Sequence, residues 1–403
     1  MSAGVNTKRE FVTKGLILVS MVLIAAIYFA PIWWVSLTAP NYPPEAFPDG
    51  VRINFHMNGV FNGCEKVEKA EIDEDVALDC VHEMDTINHF VGMYPIASGG
   101  VVEKAFSPFL LSMLGVMLAG FLFVDRRLRL GIMAVGFTFV AVWMYLTSYT
   151  EGGLKYQNSQ YISALVTALD QADFESEADK EETELNPIIE ALRQSMLDSQ
   201  KETGAAPAPA LDTINAETAV TASKEDNIRT LKQNFNQDQT RKPEAERKQW
   251  TGAGIDTLIW HYHKNLGRWF NNPQEIDPMA RTMEFVSHAL FVVIILGMVA
   301  MMIAGWKTGG MLYWIVVLIP MLLPVFFIIE YSAWLWWYGH SLNEMGAFTL
   351  KPFMPTVFGQ GKVAQFTTHS YPNIGFGLML LSSLALLLAT LLRRKSLKES
   401  AQG

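Results

Sequence analysis

The sequence has little charge and almost no cysteine for its length. Only 18% of its 403 residues are charged, against about 25% in ordinary soluble domains. Two cysteines exclude a disulfide-rich scaffold and a four-cysteine zinc site. The net charge of −9 makes nucleic acid an improbable partner. Half of the residues are hydrophobic and fall into long runs, which indicates a multi-pass membrane protein with soluble segments.

Common catalytic and cofactor motifs are also missing. The chain has no G-x-x-x-x-G-K-[ST] phosphate loop, so we expect no nucleotide partner. It lacks the C-x-x-C-H signature of covalent haem and the G-x-S-x-G nucleophile elbow. We therefore expect an accessory protein more than an enzyme.

Six hydrophobic stretches are long enough to cross a bilayer, whose core of about 30 Å takes roughly 20 helical residues. None of them carries a charge near its middle, where an unpaired ion is costly. The sequence thus predicts an all-α integral membrane protein with six transmembrane helices. The first is too long for a signal peptide and is interpreted as an uncleaved anchor. The predicted spans are 15–38, 107–124, 130–149, 284–305, 311–333 and 374–392.

Basic residues predict the orientation. They flank four span ends, which an even number of crossings places on one side of the membrane, and by the positive-inside rule this side is the cytoplasm. Both termini would be cytoplasmic, and the connections 39–106, 150–283 and 334–373 would form periplasmic loops of a bacterial inner membrane protein. The basic residues are Lys8, Arg9, Lys14, Arg126, Arg127, Arg129, Lys307, Arg393, Arg394 and Lys395.

The segments between these loops have simple assignments. Residues 1–38 form a tail with the first helix, and 107–149 and 284–333 are transmembrane hairpins. Residues 374–403 are the last helix with a basic tail.

The long connection 150–283 changes character along its length. Apolar residues at helical spacing in 154–170 predict that the third span continues outward as an amphipathic helix. Residues 171–249 are an acidic insertion in which we expect partial disorder, with a helix start at Asn186-Pro187 and a linker at 204–210. The aromatic, amphipathic stretch 255–270 predicts a helix at the outer membrane interface.

Cys64 and Cys80 lie in the first outward connection, sixteen residues apart. An oxidising compartment favours a disulfide between them, worth about 3 kcal/mol in loop entropy. The residues between them carry seven acids and two lysines, counting Glu65 to Asp79, and predict a solvated tip. The alternative is two free thiols packed as apolar side chains.

The histidines share one side of the predicted topology. All eight fall in outward connections or at outer span ends: His56, His82, His89, His261, His263, His288, His340 and His369. Several have methionine nearby, and thioether with imidazole suits Cu(I), whereas zinc prefers thiolate with imidazole. We predict a copper site with ligands from His56, His89, Met93, His340, Met345 and His369. The alternative is that each histidine bonds a carbonyl or headgroup and each methionine fills a core.

Three ionisable residues lie within apolar surroundings near the outer span ends. Glu284 and His288 are four apart and share a helix face, and Glu330 interrupts the run FFIIEYSAWLWWYGH. Such residues are candidates to orient a metal-bound histidine. A structural hydrogen bond between helices is an equal alternative.

Three stretches carry a family resemblance. They are LTAPNYPPEAFPDGVRINFHMNGV (37–60), INHFVGMYPI (87–96) and the segment 338–376, from YGHSLNEMG to HSYPNIGF. They resemble a poorly characterised family of bacterial multi-pass membrane proteins associated with maturation of copper enzymes of the nitrous oxide reductase type. The resemblance covers the spans and outer loops and leaves out the acidic insertion. It implies a periplasm-facing role in copper handling or copper-enzyme assembly, and it assigns no catalytic residue.

Three functions remain open from the sequence. The leading hypothesis is a membrane accessory protein that handles copper or assists assembly of a periplasmic or membrane copper enzyme. The second is a non-catalytic anchor subunit of an enzyme complex, and the third is a small-solute permease, for which no inverted repeat or paired broken helices are visible. In each case we expect the first and third outward connections to fold against each other and form the functional surface.

Overall fold

The computed structural model describes residues 2–45, 47–64, 79–96, 99–169, 223–307, 310–347, 351–363 and 365–402. The chain forms two compact units, Met1–Tyr156 with Ala253–Gly403, and Gln157–Gly252. In chain order the elements are α1 (Ser2–Phe29), β1 (Trp33–Thr38), β2 (Val51–His56), β3 (Gly59–Asn62), α2 (Cys80–Phe90), α3 (Val101–Phe121), α4 (Arg126–Tyr149), α5 (159–169), α6 (Lys224–Thr240), α7 (Gly254–Leu266), α8 (Pro273–Trp306), α9 (Met311–Met321), α10 (Leu323–His340), β4 (Gly359–Val363), β5 (Phe366–Pro372) and α11 (Ile374–Gln402).

Helices long and apolar enough to cross a membrane dominate the first unit. Five described helices meet this test alone, namely α1, α3, α4, α8 and α11. The pair α9 and α10 makes a sixth span if its two halves are counted together. The prediction of a mostly helical chain with up to six helices able to cross a membrane is therefore confirmed by their length and composition. The all-α class is wrong, because the unit also contains a five-stranded antiparallel sheet.

The predicted span 311–333 is two helices that meet at a bend of 66°. Pro320 and Pro324 flank the bend at Leu322 and lie four residues apart. Proline has no N–H, so Pro324 cannot donate to the Pro320 carbonyl, and Pro320 in turn leaves the Val316 carbonyl without its helical donor. Two consecutive gaps on one face let the helix open there.

The predicted first span, 15–38, is wrong at its outer end. The helix ends at Phe29, just before Pro31, and Trp33–Thr38 form a strand. Proline disfavours helical backbone in the preceding residue and interrupts the hydrogen-bond ladder. The aromatic and β-branched residues that follow suit a strand with one buried face, and hydropathy alone cannot separate such a strand from helix.

The sheet brings the first and third outward connections together. Its strand order is β3-β2-β1-β5-β4, and β1 pairs with β2 on one side and β5 on the other. Trp33, Val35 and Phe55 on the inner face pack against Tyr331 and Leu335 of α10. Because β2–β3 and β4–β5 come from the two connections, the prediction that these connections fold against each other is confirmed.

The four basic segments lie at one end of the helical bundle. Arg9 forms an ion pair with Glu399 at 2.6 Å, which places the two chain ends together. Arg129 Nε donates to the Gly305 carbonyl at 2.9 Å, and Arg393 Nη1 donates to the Phe121 carbonyl at 2.5 Å. Since α1 starts at this end and leads directly into β1, the sheet lies at the opposite end.

The second unit contains α5, which corresponds to the amphipathic helix predicted in the long connection. In α5, Ile162, Val166 and Leu169 are buried, so the predicted amphipathic helix is confirmed. It does not continue α4, however, because α4 ends at Tyr149 and a short 3-10 turn, Gly153–Tyr156, intervenes. The tip at 65–78, the helix start at Asn186-Pro187 and the linker at 204–210 lie outside the described residues.

The rest of the acidic insertion and the aromatic stretch are also helical where described. In α6, Leu231 and Phe235 are buried, and the Phe235 ring lies 5.3 Å from the Trp250 ring. This segment therefore has a small core, which the weak apolar pattern of 211–249 did not indicate. The predicted helix at 255–270 is confirmed as α7, and its apolar residues Ile255 and Leu258 are buried.

A disulfide joins Cys64 to Cys80, as one of the two alternatives predicted. Cys64 follows β3, and Cys80 is the fully buried first residue of α2. Asp79 caps that helix by accepting bonds from the Val81 and His82 amides. The disulfide thus attaches the start of α2 to the sheet.

We predict that replacing Cys64→Ser together with Cys80→Ser lowers the free energy of unfolding by about 3 kcal/mol, because the unfolded chain regains loop entropy. Thermal unfolding of purified protein in detergent measures the change. Reductant should destabilise the wild type by a similar amount and leave the double variant unaffected. An equal response of both proteins to reductant would contradict the prediction.

Candidate functional site

The predicted copper ligands are spread over the sheet end of the molecule. We call this end the cap, defined as the five strands with α2, α7 and residues 341–347. His56 ends β2, His89 lies in α2, His340 ends α10 and His369 lies in β5. Across the ranges the structure describes, no group of three or more His, Cys, Asp or Glu side chains could hold a metal ion.

Strand register separates two of these histidines. Phe55 pairs with Trp33 on β1, whereas His369 pairs with Ser36, so His56 and His369 are offset by four positions along β1. At 3.3 Å per residue this offset is about 13 Å. Metal–ligand bonds of about 2 Å cannot bridge that distance. The two imidazoles therefore cannot bind the same ion.

Three histidines of the predicted set stack on aromatic rings or lie close to oxygen atoms. The His89 ring stacks on Trp269 at 4.4 Å between centroids. His340 stacks on Trp336 at 4.5 Å, and its Nδ1 lies 2.7 Å from the Trp336 carbonyl oxygen. His369 Nε2 lies 3.4 Å from the Thr38 hydroxyl. These contacts fit the alternative in which histidines serve local packing and hydrogen bonding.

The two methionines of the predicted set differ sharply in exposure. Met93 is 4% exposed and belongs to the core, while Met345 is 68% exposed. A thioether buried in this way packs like any apolar side chain. Only Met345 is accessible to a metal ion from solution.

The ionisable residues predicted to orient a ligand histidine do not contact one. His288 Nδ1 lies 2.9 Å from the Tyr149 hydroxyl, and this bond joins α8 to α4. Glu284 and Glu330 are exposed on their helices, and within the described residues neither carboxylate hydrogen-bonds to a histidine. His288 thus matches the structural alternative.

A buried polar cluster in the cap was not anticipated from the sequence. Glu275 at the start of α8 accepts a bond from the Tyr94 hydroxyl at 2.9 Å and one from Asn343 Nδ2 at 2.8 Å. The Asn343 amide donates to the Gly92 carbonyl at 2.8 Å. Gly92 has φ +85°, and a Cβ there would lie 2.5 Å from the Asn343 oxygen. The cluster therefore holds the first and third connections against the start of α8.

A second part of the cluster is an acid and a guanidinium. Asp85 is fully buried, its Oδ1 accepts a bond from the Ile96 amide at 2.6 Å, and its Oδ2 lies 3.9 Å from Arg268 Nη1. Burial, and then the charge of Arg268, lower the pKa of the adjacent His82. Removing one partner of such a buried pair would leave the other charge buried without a counter-charge. The pair therefore fixes α2 relative to the α7–α8 junction.

The cluster is largely closed to solvent. Burial, with Glu275 as a further cause, raises the pKa of Tyr94 to about 12, so its hydroxyl stays a neutral donor. Asn343 and Asp85 are buried, so neither meets a substrate from solution. The sequence shows Asp85 and Arg268 as charged residues within amphipathic stretches. It does not show that the two residues contact each other.

The open edge of the sheet carries exposed apolar side chains. β4 is an edge strand, and among the described residues it pairs with β5 alone. Met354, Phe358 and Val363, which precede or lie in β4, are 46%, 67% and 39% exposed. Exposed apolar side chains beside unpaired strand backbone are typical of protein-binding surfaces. We call this surface the docking edge.

Comparison with known proteins adds no family. No family model, no curated protein and no solved structure matches the chain. The resemblance seen in three sequence stretches therefore stays a prediction. Function has to be inferred from the cap and its chemistry.

We predict that Glu275→Ala lowers the free energy of unfolding by about 2 kcal/mol, because Tyr94 and buried Asn343 lose their shared acceptor. The control is Glu344→Ala, which removes an exposed carboxylate from the neighbouring loop. Thermal unfolding in detergent compares the three proteins. A loss of stability as large in the control as in Glu275→Ala would show that the cluster does not hold the cap together.

Proposed function

We propose that the protein is a non-catalytic accessory subunit of the bacterial cytoplasmic membrane that assists a copper enzyme at the periplasmic face. The observation that carries this proposal is the docking edge, on a cap that is held together by the hydrogen bonds of Tyr94 and Asn343 to Glu275. A cap of this kind suits holding a partner more than converting a substrate. The identity of the partner rests on the resemblance, whose segment 338–376 contains β4 and β5.

The orientation follows from the basic end of the bundle. By the positive-inside rule the end with Arg126, Arg129 and Arg393 faces the cytoplasm, together with both termini. The cap then faces the periplasm. An oxidising periplasm agrees with the Cys64–Cys80 disulfide.

The docking edge offers two kinds of contact. The unpaired side of β4 supplies backbone donors and acceptors to which a strand of a partner could add. Met354 and Val363 supply exposed apolar surface outside the helices that could cross a membrane. Lys362, also on β4, keeps this edge from pairing indiscriminately with other strands.

We predict that Met354→Glu with Val363→Glu reduces co-purification of a copper enzyme from native membranes by about tenfold, the effect of losing about 1.4 kcal/mol of contact. Mass spectrometry identifies the partner, and elemental analysis measures its copper. The control is Phe90→Glu, which places a single carboxylate on another exposed apolar position of the cap. Undiminished capture by the double variant, or the absence of a copper enzyme from the wild-type preparation, would refute the proposal.

One observation favours copper binding by the chain itself as a second candidate. The carbonyl of Trp336 holds Nδ1 of exposed His340 as a donor, which leaves Nε2 as the nitrogen with a lone pair. Met345, five residues further on, is the exposed thioether of the predicted set. Imidazole and thioether in one short segment suit Cu(I).

We predict that Cu(I) titration of the purified protein against a chromophoric chelator detects one ion that His340→Ala with Met345→Ala abolishes, because both accessible ligands are lost. The control is His263→Ala, whose imidazole is exposed but bonds Asp277 at 2.9 Å. Wild-type copper content in the double variant would exclude this site. That result would not bear on the proposed role of the docking edge.

A further inference from the structure

An open groove runs into the bundle at its basic end. Its cavity volume, with the open space outside the helices left out, is about 30 Å³, and it lies between α1, α3, α9 and α11. Its walls are mostly apolar, and Val317 and Pro320 of α9 line one side. All four helices belong to candidate membrane spans, so in a bilayer this groove would face lipid.

The groove lies beside the broken span. A straight helix through 311–340 would keep α9 in line with α10, but the two helices meet at a bend of 66°. Pro320, close to the bend, and Thr390 of α11 both line the groove. The Thr390 hydroxyl lies 3.8 Å from the Met321 sulfur at the end of α9.

Two arginines lie at this end of the groove. Arg393 lines it directly, and its Nη1 donates to the Phe121 carbonyl, the last residue of α3. Arg129 is 2% exposed and donates to the carbonyls of Phe123, Val124 and Gly305. The two positive charges are close enough to act on each other.

Neither guanidinium forms an ion pair with a carboxylate in the part of the chain that the structure describes. Backbone carbonyls at a helix C-terminus carry partial negative charge, but they do not balance two full charges. Arg393 has five N–H donors, of which one is used at Phe121. The described groups therefore leave a net positive charge beside an apolar groove.

We propose that the groove binds one anionic phospholipid, with an acyl chain between α1, α3, α9 and α11 and its phosphate on Arg393. A phosphate oxygen pair matches the planar fork of a guanidinium, and basic pockets between transmembrane helices bind acidic headgroups. Arg126 lies 3.5 Å above the Trp306 ring at the same end. Tryptophan and arginine together are typical of headgroup depth.

The test measures thermal unfolding of delipidated full-length protein in detergent with one additive at a time. The additives are dioleoyl phosphatidylglycerol, dioleoyl phosphatidylcholine and inorganic phosphate. Phosphatidylglycerol should stabilise the wild type most, and inorganic phosphate should have no effect because it lacks an acyl chain. Equal stabilisation by phosphatidylcholine, or an effect of phosphate as large as that of phosphatidylglycerol, would overturn the proposal.

Two variants test the contact with the lipid headgroup and the contact with its acyl chain separately. Arg393→Gln should weaken phosphatidylglycerol binding about fivefold, the effect of one basic residue near an anionic headgroup. The control Arg394→Gln changes the adjacent exposed arginine, which does not line the groove, and should bind as the wild type does.

Val317→Phe fills the groove without changing charge and should abolish the preference for phosphatidylglycerol even if Arg393→Gln folds poorly. Retention of that preference by Val317→Phe, or an equal loss in Arg394→Gln, would show that the lipid binds elsewhere.

Discussion

The pairing of β1 with β5 is the contact on which the cap depends. The chain leaves α1 at Phe29, and its backbone must find hydrogen-bond partners as soon as it stops being helical. Strand β5 supplies them from the far end of the sequence, and Trp33 Nε1 donates to Ser370 Oγ across 337 positions. The ladder continues to the helices, where the Gly375 amide donates to the Pro31 carbonyl. The antiparallel packing of α1 and α11 and the position of the sheet on α10 both follow from this pairing.

Much of the membrane part could be predicted because its signal is local. Each span is an apolar run long enough to cross a bilayer, and each basic segment stands beside one. The strand at 33–38 was missed because a buried strand and a helix end look alike in an apolar run. The break at Leu322 was visible in principle, since Pro320 and Pro324 stand four residues apart. To predict a bend, the two missing hydrogen bonds had to count for more than the uninterrupted hydropathy of the predicted span.

The candidate site was harder to predict because its partners are distant in sequence. Histidine and methionine are candidate metal ligands by their chemistry alone. In the structure, however, His89, His340 and His369 each have separate local contacts. The polar cluster is built from common residue types, and Tyr94 and Glu275 are 181 positions apart when they bond. No pattern within either segment indicates the other. The cluster was identifiable only once the fold had placed α2 and the start of α8 side by side.

The break between α9 and α10 divides the bundle mechanically. Tyr331 and Leu335 tie α10 to the sheet, while Tyr313 ties α9 to α3 through a ring contact with Phe121. Only the bonds that Pro320 and Pro324 would donate are lost at the joint, since the Leu322 amide still donates to the Leu318 carbonyl and the Phe326 amide to the Leu322 carbonyl. The break therefore separates the half of the span that supports the sheet from the half that packs among the other helices.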